Sequence, residues 1–198
     1  MAADRSLHFF HFHALAGTLR RFPISPALLL ASLVVFISLG LTPINHAIAD
    51  SRLIILVRHA EKADSPAADP TLSPAGEIRA TALISALNRT PISQLIATQY
   101  QRTQQTLTPI AQARHLPVTV VPATKAIAEH VQQITEQVHA VKGNTLIAGH
   151  SNTVPLIIKA LGGPEIPVIG EDDYSQLFLL SLNEGQPASL ISTRYGQE

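Results

Sequence analysis

Two stretches of this chain close an apolar run on a histidine. Leu53-Ile54-Ile55-Leu56-Val57 stops at Arg58-His59-Ala60-Glu61-Lys62, and Thr145-Leu146-Ile147-Ala148-Gly149 stops at His150-Ser151-Asn152-Thr153. A second arginine, Arg102, stands in Gln99-Tyr100-Gln101-Arg102-Thr103-Gln104-Gln105-Thr106, just after the short apolar stretch Gln94–Thr98. Guanidinium forks match phosphate oxygens bidentately and keep their charge at any working pH. A histidine, with an ordinary pKa of about 6.5, is available near neutrality as an uncharged base. Two arginines and two histidines at one place therefore suit a tetrahedral dianion: one ring nitrogen attacks phosphorus and the other histidine helps to hold the oxygens. Such a transfer needs no metal, because the arginines supply the electrostatic stabilisation.

The elements around these residues must bring them to one edge. An unbroken aliphatic run bounded by charge reads as a strand buried on both faces, as in the interior of a parallel sheet. Ligands of open α/β sheets bind at the carboxyl ends of such strands, which is where Arg58, His59 and His150 fall. Between them the chain alternates. Ala63–Pro70 reads as a loop, and Ser73-Pro74 opens a helix with an N-cap serine and a first-turn proline. Ile78, Ala82, Leu83, Ala86 and Leu87 recur at helical spacing and are expected to face the sheet. Gln94–Thr98 is a strand, and the following helix to about Arg114 carries Arg102 in its first turn, where free N–H groups and the helix dipole favour an anion. Pro117–Val121 is a strand, and Ala123–Val141 a helix patterned on Ile127, Val131, Ile134 and Val138. The segments at 145 and 153–161 are strand and helix, with Gly162-Gly163-Pro164 as stop. Glu165–Asp173 is a loop, and Leu177–Leu182 and Ser189–Thr193 are strands. The fold class is α/β, a three-layer sandwich with a largely parallel central sheet and an antiparallel strand near the end.

Composition sets the frame. A chain of 198 residues with 14% charged and 46% hydrophobic residues builds a compact core, and a formal charge of zero offers no nucleic-acid surface. There is no cysteine, which excludes disulfides, thiolate chemistry and cysteine-held metal. The first 49 residues differ in kind. Arg20-Arg21 precede an apolar stretch at 27–41, and Ala47-Ile48-Ala49 before Asp50 has the small-x-small form of a signal-peptidase site. Residues 1–49 are thus expected to be a secretory signal, with an uncleaved membrane anchor as the alternative, and 50–198 the catalytic domain. His8, His11 and His13 fall in that leader and read as processed sequence. Of the 14 basic and 14 acidic residues, three and one lie before Asp50, so the remaining domain is slightly acidic, at eleven to thirteen.

Other chemistries fit less well. A serine hydrolase built on Ser151 lacks the nucleophile-elbow pattern, since Thr153 stands where glycine is required. Zinc hydrolysis lacks a His-Glu-x-x-His helix.

The motifs together resemble the histidine phosphatases, the phosphoglycerate mutase-like superfamily. The resemblance runs in order through Arg58-His59-Ala60-Glu61, Leu72-Ser73-Pro74-Ala75-Gly76-Glu77, Arg102-Thr103-Gln104-Gln105-Thr106 and Gly149-His150-Ser151, with Ala60 where the family has glycine. It implies that His59 is the nucleophile that becomes phosphohistidine, and that Arg58, Arg102 and His150 complete the phosphate pocket. It also implies an acid that protonates the leaving oxygen. Glu129 stands at about the expected place, with Glu61, Asp64 and the cluster Glu171-Asp172-Asp173 as rivals. By itself that cluster reads as a solvated loop, and Lys62 as a rim charge.

The expected function is a metal-independent phosphatase of phosphomonoesters or related phospho-compounds, without cofactor, exported and periplasmic. Its partner is a small phosphorylated substrate; neither nucleic acid nor a protein partner is expected, and a membrane tether only through an uncleaved leader. The alternatives are a phosphate-binding or sensing module without turnover, and a mutase-like phosphotransferase. Specificity is expected from the loops at 63–70 and 163–174.

Overall fold

A computed structural model describes residues 51–197. The expected leader, with His8, His11, His13 and the signal-peptidase motif, lies outside the described residues. Among these, no helix is long and apolar enough to cross a membrane.

The order of elements is β1 (Arg52–Arg58), α1 (Pro74–Ala86), β2 (Gln94–Ala97), α2 (Gln101–Arg114), β3 (Val118–Val120), α3 (Ile127–Ala140), β4 (Thr145–Gly149), α4 (Thr153–Ala160), β5 (Gln176–Leu182) and β6 (Ser189–Arg194). The strands form a six-stranded sheet in the order β3-β2-β4-β1-β5-β6. Strands β1 to β4 are mutually parallel, and β5 runs antiparallel to both β1 and β6. The mixed α/β sandwich expected from the alternating pattern is the one found.

The aliphatic run at 53–57 has the character expected of a central strand. Ile54, Ile55, Leu56 and Val57 are fully buried, with alternate side chains on opposite faces. Ile54 and Leu56 join α3 and α4 residues such as Ile134, Val138 and Ile157 in one apolar layer. Ile55 and Val57 join Leu83, Leu107 and Ile110 of α1 and α2 in the other. From Ile54 onward neither face of β1 is exposed to water.

Helix α1 departs from its expected facing. Leu83 and Leu87 are buried and Ala82 partly so, but Ile78 is 62% exposed and Ala86 is on the surface. The buried positions are instead Gly76, Ala80 and Leu83, spaced four and three apart, because the first turn of α1 lies against the backbone after β1. A Cβ at Gly76 would run into the carbonyl of Glu61. Close approach of helix to chain therefore sets which stripe of α1 faces inward, and Ile78 falls outside it.

Candidate active site

Strand register brings the two histidines together. In the parallel pair β1·β4, Arg58 stands opposite Gly149, so the next residues, His59 and His150, leave neighbouring strands at one level. The His59 amide donates to the Gly149 carbonyl at 2.9 Å. Their rings meet edge to face, with centroids 5.5 Å apart. On the other side of β4, Ala97 of β2 pairs with Ala148, and α2 starts four residues later with Arg102 in its first turn.

The surrounding bonds define the state of each ring. His59 Nδ1 lies 2.8 Å from the Ala60 carbonyl oxygen. A carbonyl only accepts, so Nδ1 carries the hydrogen and Nε2 presents a free lone pair. Burial, and then the charges of Arg102, Arg58 and Lys62, push the His59 pKa down to about 4 against the opposing bond to Ala60. His59 is therefore an uncharged imidazole at pH 7. His150 is pushed down to about 3, by burial first and then by His59 and Arg102. Its Nε2 is 3.2 Å from Thr98 Oγ1, which is 2.8 Å from Thr103 Oγ1. Thr103 spends its one hydrogen on the Tyr100 or Thr98 carbonyl. Thr98 must then donate to Thr103, and His150 donates from Nε2 to Thr98.

The arginines complete a basic cleft of about 600 Å³ lined by Arg58, His59, Arg102 and His150. Arg58 stacks over the Tyr174 ring at 4.1 Å and Arg102 over Tyr100 at 4.4 Å. The Nε of each is buried and has no hydrogen-bond partner among the described residues. Two desolvated guanidinium donors beside two uncharged imidazoles form a site that an anion with several oxygens would satisfy. Burial lowers the Arg102 pKa from its usual value, opposed by Asp69, whose carboxylate lies 3.8 Å away.

The motif around Arg102 also braces the backbone that follows His59. Thr106 Oγ1 donates to the Arg102 carbonyl at 2.7 Å and accepts from the Ala60 amide at 2.9 Å. Gln105 Oε1 accepts from the Leu72 amide at 2.8 Å. The Ala60 methyl packs with Leu72 and Ala80, and Ala60 is not among the residues lining the cleft. Alanine in place of glycine thus leaves the cleft open.

The carboxylates proposed as the acid scatter. Glu129 is exposed in the first turn of α3, with Gln133 Nε2 at 3.4 Å from its carboxylate, and it does not line the cleft. Adjacent helical residues point about 100° apart, and here His130 takes the inward direction. Glu61 is held by Arg79 at 2.8 Å, and Asp64 is exposed away from the cleft. Asp173 binds Ser175 and Gln176, and Asp172 borders a separate hollow. Only Glu171 lines the cleft, and it is engaged by Arg58 Nη2 and Ser151 Oγ, each at 3.3 Å. The segment around it is more than a solvated loop: the carbonyls of Gly170 and Glu171 each accept from Arg58 Nη1 at 2.6 Å. The expected loops do border the site, through Ala67, Ala68, Pro70 and Glu171, and Lys62 stands on the rim.

Thr98, Tyr100, Tyr174 and His130 also shape the site, and none was singled out from sequence. Only His130 carried a signal: it precedes Ile134 and Val138 at four-residue steps, on the apolar stripe of its helix. Among the described residues, no group of three or more His, Asp or Glu side chains is placed to hold a metal ion.

A family model described as histidine phosphatase superfamily (branch 1) matches residues 54–129. Among curated proteins no sequence matches. Solved structures are similar at low identity. A putative alpha-ribazole-5'-P phosphatase from Escherichia coli is 17% identical, with 72% of this chain and 96% of that one covered at a TM-score of 0.59. For a mycobacterial glucosyl-3-phosphoglycerate phosphatase the figures are 15%, 75%, 100% and 0.54. For the protein histidine phosphatase SixA complexed with tungstate they are 14%, 72%, 96% and 0.55.

Proposed function

We propose that this chain, which a histidine phosphatase superfamily model matches over residues 54–129, hydrolyses a phosphomonoester or related phospho-compound through a phosphohistidine formed on His59. Its fold is the phosphoglycerate mutase-like sandwich of the neighbours named above. The observation that carries the proposal is the pairing of an uncharged His59, its Nε2 lone pair free, with two buried arginine Nε donors that lack partners in the same cleft.

The residues divide the work. Arg58 and Arg102 receive the phosphoryl oxygens, and the charge they balance grows as the ester bond breaks. His59 Nε2 attacks phosphorus, and the Ala60 carbonyl on Nδ1 stabilises the ring as it becomes cationic. His150 borders the same oxygens, its ring oriented by Thr98. No metal or cofactor enters this scheme. A cleft of about 600 Å³ suits a small molecule, with specificity drawn from the loops at 63–70 and 163–174. The apolar leader at 1–49 supports export to the periplasm, where the substrate is a small phosphorylated compound.

The test is phosphate release from para-nitrophenyl phosphate by the purified protein in excess chelator, with His59→Ala beside it. Turnover by the wild type alone, with acid-labile phosphate trapped on the protein, is the expected result. Equal activity in the variant would remove His59 as nucleophile. A folded wild type that binds phosphate without turnover would favour a binding or sensing module.

A further inference from the structure

The phosphate pocket leaves one histidine of the cleft unused. His130 lines the same cleft as His59 and His150 and is 1% exposed. Its Nδ1 is 3.0 Å from the Pro122 carbonyl oxygen, so Nδ1 carries the hydrogen. Its Nε2 is buried and has no partner among the described residues. A histidine that served packing alone would have both nitrogens satisfied. A lone pair left unpaired in a buried site is costly, and a ligand bringing a hydrogen to Nε2 would recover that cost.

The reaction calls for such a group. An ester oxygen leaves far more readily with a proton than without one, and among the described residues no free carboxylate lines the cleft: Glu129 points outward, and Glu171 is tied to Arg58 and Ser151. We propose that His130 is the proton-transfer residue of this site, accepting a proton at Nε2 from the entering phosphoester and delivering it to the ester oxygen. The proposal rests on the phosphohistidine reading above.

The steps balance. A phosphomonoester, whose second pKa is about 6, enters as the monoanion and passes its proton to His130 Nε2, leaving a dianion between the arginines and an imidazolium beside it. The His59 Nε2 lone pair forms the N–P bond. The P–O ester bond breaks with its electron pair on oxygen, which takes the His130 proton and departs as the alcohol. A water oxygen then attacks phosphorus, and its proton goes to His130 Nε2 while the P–N electron pair returns to His59. Phosphate leaves with the proton His130 returns to it. Burial holds His130 below its ordinary pKa in the free protein, opposed by the bond to Pro122, and the bound dianion supplies the countercharge that stabilises the imidazolium.

The experiment compares wild type and His130→Gln on para-nitrophenyl, phenyl and para-methoxyphenyl phosphate, esters of like shape whose leaving oxygens differ in basicity. The variant should lose little on the nitrophenyl ester, which leaves without a proton, and about 100-fold or more on the other two. An equal loss on all three esters, or none, would overturn the proposal, since a packing defect is blind to the leaving group. A second arm needs neither variant nor turnover. Nitrogen-detected NMR of the wild type under saturating inorganic phosphate should show His130 doubly protonated, and a singly protonated ring would equally overturn it. Wild-type inactivity on every ester with a doubly protonated His130 would instead count against the phosphatase reading alone.

Discussion

The β1–β4 edge and the two loops around it hold titratable residues in opposite surroundings. At the edge, the buried His59 and the half-buried His150 are fixed by strand register and uncharged, and every bond around them runs to backbone or to a threonine. On the loops, the half-buried Asp69 and the exposed Glu171 each approach one of the arginines. The Glu171 side chain is 80% exposed, against 3% for its partner Arg58. The proposed chemistry depends on a neutral nitrogen and sits where water is scarce, and the loops proposed to set specificity lie where water is plentiful. A change at the edge should therefore act on the rate of reaction, and a change on the loops on affinity.

Four tests sharpen that division. Arg102→Ala removes a buried donor from the transferring phosphoryl group and is expected to lower kcat by about 100- to 1,000-fold with the fold intact, as steady-state kinetics would show. A loss below tenfold would take Arg102 out of contact with the substrate. The second test is pH. With His59 held at about 4, kcat/KM corrected for substrate ionisation should stay level from pH 8 to about 5 and fall roughly tenfold per unit below 4; an unshifted histidine would start its fall near 6.5. The same shift has a stability consequence. The unfolded chain takes up protons below about 6.5 and the folded one does not until about 4, so stability declines as pH drops through that window. A melting temperature unchanged between pH 7 and pH 5 would show that the two histidines are not desolvated.

Thr106→Val keeps the shape of a fully buried side chain but strands the Ala60 amide. The expected cost is about 1–3 kcal/mol in denaturant melts, with a fall in kcat because His59 is less well held. The smallest effect belongs to the rim. Glu171→Gln removes one charge from beside Arg58 and should tighten phosphate binding severalfold in calorimetry while leaving kcat within about twofold, in keeping with the modest strength of exposed ion pairs. A large fall in kcat would move Glu171 from the rim into the reaction.

Much of the fold was legible because the elements carry their own signals. The five-aliphatic run before Arg58 is what a doubly covered strand requires, and Ser73-Pro74 marks the start of α1 at the residues found. The facing of α1 was not legible. Gly76 lets the helix touch the Glu61 carbonyl, and that contact, between residues 15 apart, outweighs the apolarity of Ile78.

The site divides in the same way. Arg58, His59, Arg102 and His150 stand at the ends of strands or the start of a helix, so sequence alone placed them at one edge. Which carboxylate joins them depends on rotation about helix α3 and on the path of the loop at 170–173, and neither leaves a pattern in composition. Glu129 and His130 are neighbours in the chain; only the packing of α3 against the sheet turned the histidine inward and the glutamate to solvent. Local sequence determines which element a residue belongs to and where along it the residue sits. The direction in which its side chain points, and whether its charge survives there, is decided by what the rest of the molecule packs against it.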